Sequence, residues 1–175
     1  MTTSSDFDFF LKHGFIKGLS KGSSMNILLT KYGTDNWYVK HIENNGLIYG
    51  IIKIGFIEFH IYNEKVNGIS YRPDLPFPKK DFKGVTIPWI YKIIEISKIE
   101  DNLKAKKIDY RRYLVNGPSK LFATAGAELM LDDGVHTFID TEGGVTFLFE
   151  TNKKTCKLEA YQICKYFDIH KLDVI

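Results

Sequence analysis

The chain is short of cysteine: only Cys156 and Cys164 occur in its 175 residues. They sit eight positions apart in a segment that reads as extended. A strand of that length holds its ends roughly 26 Å apart, well beyond the reach of a disulfide. Both are expected to be buried free thiols. With no CxxC pair and no histidine cluster at ligand spacing, no metal site and no cofactor are expected. Long apolar runs are also missing, since none approaches the roughly 18 residues of a membrane helix. Residues 1–15 carry acids where a secretory leader needs a basic segment, and they lack its apolar stretch. The expectation is a protein that stays in the cytoplasm.

Catalytic signatures are lacking too. No G-x-S-x-G elbow occurs, and the Gly18–Ser23 segment, GLSKGS, does not follow the G-x-x-x-x-G-K-[ST] order of a phosphate loop. Five histidines, His13, His41, His60, His136 and His170, are scattered. The nearest thing to an acid–base pair is Glu58 with His60, and two residues on a strand supply neither an orienting partner nor a concave site. No catalytic residue is assigned, and a non-enzymatic protein is expected.

Proline is scarce, and four of the five, Pro73, Pro76, Pro78 and Pro88, crowd into one span. Proline removes a backbone donor and restricts its neighbour, so regular structure is not expected to cross that span. It divides the chain into a first unit at 6–74, a linker at 75–88 and a second unit at 89–166.

What is present is dense β-type patterning. Hydrophobic residues make up 44% and aromatics 14%, enough for a folded core. Residues 36–74 hold four short β-rich runs separated by Asn44-Asn45-Gly46, Gly55 and Asn63-Glu64-Lys65. Asn and Gly tolerate the backbone geometry of tight turns, so a four-stranded antiparallel meander is predicted. Alternation then sorts the faces. Ile57, Phe59 and Ile61 point one way with Ile48, Ile52 and Ile54, while Glu58, His60 and Tyr62 point the other with Tyr49, Ile51 and Lys53. The first face wants a cover. The second, with Arg72 added, has a composition suited to protein recognition, and an ordinary solvated sheet face would read the same way.

Helices are predicted over 6–13, ended by Gly14, and over 25–32, capped by Ser23 or Ser24 and stopped by Gly33. Ile27, Leu28 and Tyr32 would cover the sheet. In the second unit, residues 89–96 read as a buried helix or strand. Ser97 with Glu100 forms a capping box that would open a helix through about Lys107. Extended runs follow at 108–115, 121–131, 135–141, 145–151 and 156–164. Their separators include the turn signals Asn116-Gly117-Pro118-Ser119, Asp132-Asp133-Gly134 and Glu142-Gly143-Gly144. Residues 55–74 parallel 143–164: a glycine, a strand with alternating aromatics, an Asn-Lys turn, and a strand with a late tyrosine, Tyr71 or Tyr161. The predicted class is α+β, two similar modules in tandem, each with short helices packed on one face of an antiparallel meander sheet.

Charge is uneven. Net charge is +3. Residues 121–152 contain no Lys or Arg but hold Glu128, Asp132, Asp133, Asp140, Glu142 and Glu150. Lys98, Lys104, Lys106, Lys107, Arg111 and Arg112 precede them, interleaved with Glu100, Asp101 and Asp109. An acid-only region of sheet could attract a basic partner protein, and chance segregation of surface charge would look alike. The basic segment at 98–113, with Tyr110 and Tyr113, leaves open a second reading as a nucleic-acid or small-ligand binding module.

The stretches KGLSKGSSMNILLTKYG at 17–33 and IIKIGFIEFHIYNEKVNGISY at 51–71 resemble the helix-helix-four-strand units of the secreted β-lactamase inhibitor proteins. Similar units occur singly in small outer-membrane assembly lipoproteins, and similar modules serve as immunity proteins against contact-dependent or polymorphic bacterial toxins. With no leader, no disulfide and no anchoring cysteine, the member implied is a cytoplasmic immunity protein that blocks a cognate toxin domain. The expected contact residues are Tyr49, Lys53, Glu58, His60, Tyr62 and Arg72 in the first unit, and Asp132, Asp133, Asp140 and Glu142 in the second.

Overall fold

The computed structural model describes residues 6–34, 37–55, 57–71, 89, 94–122 and 128–165. Helix α1 (Asp6–His13) comes first, closed by a hydrogen bond from the Gly14 amide to the Phe10 carbonyl at 2.7 Å. Helix α2 (Met25–Tyr32) begins where Ser24 Oγ accepts from the Asn26 amide at 3.2 Å, and it stops at Gly33, whose φ of 92° suits glycine. The meander β1 (Trp37–Ile42), β2 (Ile48–Ile54), β3 (Ile57–Tyr62) and β4 (Lys65–Tyr71) then follows, each strand antiparallel to the next. These boundaries fall at the Asn and Gly turns that the sequence marks.

Helix α3 (Ile96–Ala105) opens the second half, followed by β5 (Tyr110–Phe122), β6 (Glu128–Thr141), β7 (Val145–Asn152) and β8 (Lys157–Lys165). Among the described residues, the eight strands form one antiparallel sheet in the order β1-β2-β3-β4-β8-β7-β6-β5. The join is made by β4 and β8, with Ile69 opposite Lys165, Ser70 opposite Cys164 and Tyr71 opposite Ile163. The fold is α+β. Among the described residues, no helix is long and apolar enough to cross a membrane.

The helices share one face. Phe7, Phe10 and Leu11 from α1, Met25 and Leu28 from α2, and Ile99 and Leu103 from α3 meet Ile52, Phe59, Ile69, Phe147, Phe149 and Ile163 in one connected core. Burying each such side chain contributes roughly 1.5–3 kcal/mol. Helix α1 also docks on the second half. The Leu11 carbonyl accepts from Thr141 Oγ1 at 2.6 Å and from the Gly143 amide at 3.1 Å, and a Cβ on Gly143 would lie only 2.5 Å from that carbonyl oxygen. Asp8 accepts from Trp89 Nε1 and Lys106 Nζ, both at 2.8 Å, which ties α1 to α3.

Several expectations fail. The largest concerns the run at 121–131, which is not one strand. Residues on either side of 123–127 belong to the two arms of a long β5–β6 hairpin. The Asn116-Gly117-Pro118-Ser119 and Asp132-Asp133-Gly134 signals therefore mark no chain reversal. They lie opposite each other inside the hairpin, with Gly117 paired to Gly134 and Ser119 to Leu131, so Asp132 and Asp133 form a bulge opposite Pro118. Turn-forming residues bend a ribbon as readily as they end a strand.

The capping box is also absent. Glu95, without a side-chain cap, precedes α3, so Ser97 lies inside the helix. Cys156 is exposed, in the turn before β8 with a φ of 54°, while Cys164 is buried as expected and its thiol pKa is pushed up to about 12 by burial. Ile27 is 55% exposed and covers nothing, because α2 turns Met25 and Leu28 inward. The proline-rich linker at 75–88 and residues 90–93 lie outside the described residues.

Candidate functional site

The sheet face away from the helices carries the candidate contact residues of the first half. Register places their side chains in rows across the strands. His41, Tyr49 and Tyr62 form one row, Val39, Ile51 and His60 the next, and Lys53, Glu58 and Ser70 the third. Tyr49, Lys53, Glu58, His60 and Tyr62 are thus brought onto one surface. Arg72 lies outside the described residues.

Geometry holds these rows in place. The His41 and Tyr49 rings stack, with centroids 5.0 Å apart and planes 20° from parallel. Lys53 Nζ donates to Glu58 Oε1 at 3.0 Å and lies 5.2 Å from the centroid of the Tyr38 ring. That pair is partly shielded, so it is screened less than a free surface pair. Glu58 Oε2 accepts from Ser70 Oγ at 3.5 Å, and Ser70 Oγ lies 2.7 Å from His60 Nε2. With Ser70 donating to Glu58, His60 Nε2 carries the proton and donates to the serine.

This arrangement resembles a serine–histidine pair but runs in the wrong direction for one. A nucleophilic serine gives its proton to an imidazole whose other nitrogen is oriented by an acid. Here Glu58 receives from the serine instead, and Ser70 is buried at 2% exposure between β3 and β8. Burial lowers the His60 pKa, and the Glu58 charge opposes that shift. The resulting neutral imidazole bonds within the sheet and leaves the aromatic rims outermost, with Tyr38 at 67% and Tyr62 at 48% exposure.

Tyr38 and Ser70 escape a reading of the sequence. A register shift between Trp37 and Val39 puts Tyr38 on this face, out of step with simple alternation. Ser70 lies opposite Glu58 across the β3–β4 hairpin, but a further register shift between His60 and Ile61 puts Gly68 opposite His60. Only the register, not the spacing, brings Ser70 to both.

The four acids of the second half do not form one site. Asp140 and Glu142 line a shallow depression of about 470 Å³ with Asp109, Tyr110, Arg111, Tyr113 and Thr141. Asp140 is bound there, with Oδ1 accepting from Thr146 Oγ1 at 3.2 Å, and Glu142 Oε1 accepts from the Asp109 amide at 3.4 Å. Asp132 and Asp133 sit at the β6 bulge, roughly 25 Å along the strand from Asp140. His136 Nε2 donates to the Asp132 carbonyl at 2.8 Å and braces that bulge.

Half of the six basic residues at 98–113 are paired with acids. Lys98 meets Glu95 at 3.2 Å, Lys106 meets Asp8 at 2.8 Å, and Arg112 lies 4.0 Å from Glu100. Arg111 stands opposite Asp140 at the acid-lined depression. Among the described residues, no group of three or more His, Cys, Asp or Glu is arranged to hold a metal ion. Compared with known proteins, the chain matches no family model, no curated protein and no solved structure.

Proposed function

We propose that this protein acts by binding another protein and covering its working surface, as a cytoplasmic immunity protein does with a toxin domain. One observation carries the reading. Tyr38, Tyr49, Tyr62 and His41 stand together on a sheet face whose charges, Lys53 and Glu58, are already paired and held by Ser70 and His60. Aromatic side chains on a rigid, pre-ordered surface contribute contact area at little entropic cost, which is the chemistry of interface anchors. Inhibition would be steric, with charge at the rim setting orientation and association rate.

Two further features support this reading. The sheet order, in which two four-strand meanders of consecutive strands meet at β4 and β8, agrees with two related units in tandem. The pairing of Lys98, Lys106 and Arg112 with acids weakens the alternative of a nucleic-acid surface at 98–113, since a phosphate there would displace existing partners.

The test is co-expression with the toxin domain encoded beside the gene. A one-to-one complex and restored growth are expected, and Tyr38→Ala with Tyr62→Ala is expected to weaken the complex at least about tenfold. No complex and no protection, with salt-sensitive retention on RNA or DNA, would transfer the role to the basic segment.

A further inference from the structure

Beyond Thr137 the β5–β6 hairpin leaves the body of the sheet. Strand β6 pairs with β7 only from Thr137 to Asp140, whereas its pairing with β5 continues to Glu128 opposite Phe122. Among the described residues, the part beyond is a two-stranded ribbon, with about 20 Å of β5 past Asn116. Such ribbons are marginal alone and persist when one side packs on something. The inner side does so. Val115 and Leu131 join Phe138, Leu148 and Cys164 in a small buried cluster on the face away from the helices.

The outer side is different. Alternation and register put Leu114, Val135 and Met130 on the side opposite Val115 and Leu131. All three are exposed, Val135 at 58% and Met130 at 54%. Asp132 and Asp133 stand exposed at the bulge between Met130 and Val135. Between 113 and 135 the sequence holds one Lys or Arg, Lys120, which stands opposite Met130 in register, against the three acids Glu128, Asp132 and Asp133. His136 Nε2 is turned to the Asp132 carbonyl at the bulge.

We propose that the outer face of the β5–β6 ribbon is a docking surface for a basic, partly apolar protein segment, one that seats apolar side chains on Leu114, Val135 and Met130 and pairs Lys or Arg with Asp132 and Asp133. Charge selects that occupant. A nucleic acid or an anionic membrane would meet two adjacent carboxylates, and a second copy docked through the same face would bring those acids together. This surface is on the helix side of the sheet, whereas the aromatic rows of the first half are on the other. Either can therefore fail without the other.

The probe is a short synthetic peptide of alternating lysine and leucine, titrated by calorimetry at low and moderate salt, with an alternating glutamate–leucine peptide as its mirror. The lysine peptide is expected to bind and to weaken with salt, and the glutamate peptide to show no binding. Asp132→Lys with Asp133→Lys, and separately Val135→Glu, are each expected to lower affinity by about tenfold or more. Asp101→Lys, on the exposed side of α3, is expected to leave it within about twofold. Because the substituted side chains are exposed, unchanged melting temperatures check the fold. No binding, equal binding of both peptides, or equal affinity in parent and variants would overturn the proposal. A dimer in sedimentation that Val135→Glu dissolves would overturn it in favour of a second copy.

Discussion

The two halves of the sheet treat the same face in opposite ways. Over β1–β4, the face away from the helices is polar and half-open, carrying Tyr49, Lys53, Glu58, His60 and Tyr62. Over β5–β8 that face holds Val115, Leu131, Phe138, Leu148 and Cys164, each no more than 2% exposed. Strand β7 shows the change most plainly, with Val145 to Phe149 buried in succession, where β3 alternates. A strand covered on both sides reads as a continuous apolar run, and a strand covered on one side alternates. One sheet can therefore be a binding platform at one end and a packed interior at the other.

Replacing matched residues on this face is the strongest way to break that comparison. Phe138→Ala removes a fully buried ring and should cost about 3–5 kcal/mol in urea denaturation, through lost burial and the cavity left behind. Tyr62→Ala, on the same face of the first half, should change stability by no more than about 0.5 kcal/mol. Similar costs at the two sites would mean that the faces do not differ as described.

A smaller effect tests the bend. A Cβ on Gly117 would lie 1.8 Å from the Asp132 carbonyl oxygen, so that position admits no side chain unless the bulge moves. Gly117→Ala is expected to cost about 1–3 kcal/mol as an overpacking change. Gly134, its cross-strand partner, has a φ of 128° with no atom within 4 Å of a built Cβ. Gly134→Ala therefore carries only the conformational penalty, about 1–2 kcal/mol. Equal and negligible costs for the pair would remove the bulge as the reason these glycines are present.

Legibility in the sequence follows the same division. In the first half the breaks are local: Gly14 and Gly33 end helices, and Asn44-Asn45-Gly46 and Asn63-Glu64-Lys65 reverse the chain, so the strands, and the faces of β2 and β3, could be read directly. In the second half, Asn116-Gly117-Pro118-Ser119 and Asp132-Asp133-Gly134 carry the same local chemistry but are placed opposite each other by long-range pairing. Nothing local distinguishes a bend from a reversal. The candidate residues divide likewise. Alternation along β2 and β3 brought Tyr49, Lys53, Glu58, His60 and Tyr62 together, whereas Tyr38 depended on a bulge and Ser70 on hairpin register. The acids Asp132, Asp133, Asp140 and Glu142 are close in sequence but separated along an extended strand, because a strand advances about 3.3 Å per residue.

The smallest effect sharpens the polar end of the comparison. Burial lowers the His60 pKa from its ordinary value of 6.5, against the Glu58 charge. Between the folded and unfolded pKa values the unfolded chain binds more protons, so stability rises with pH in that window. The full contribution is present above about pH 6.5 and is lost as pH falls through the window below it, at no more than about 1.4 kcal/mol per pH unit for one proton. Urea midpoints compared at about pH 7.5 and about pH 5 should drop for the parent more than for His60→Gln, which cannot titrate. An equal drop in both would place the acid sensitivity elsewhere. Glu58→Gln carries the sign one step further. Removing the charge that opposes burial depresses the His60 pKa more, so the loss should continue to lower pH than in the parent, and a loss that ends at higher pH would show that Glu58 does not act on the imidazole as its position across the sheet requires.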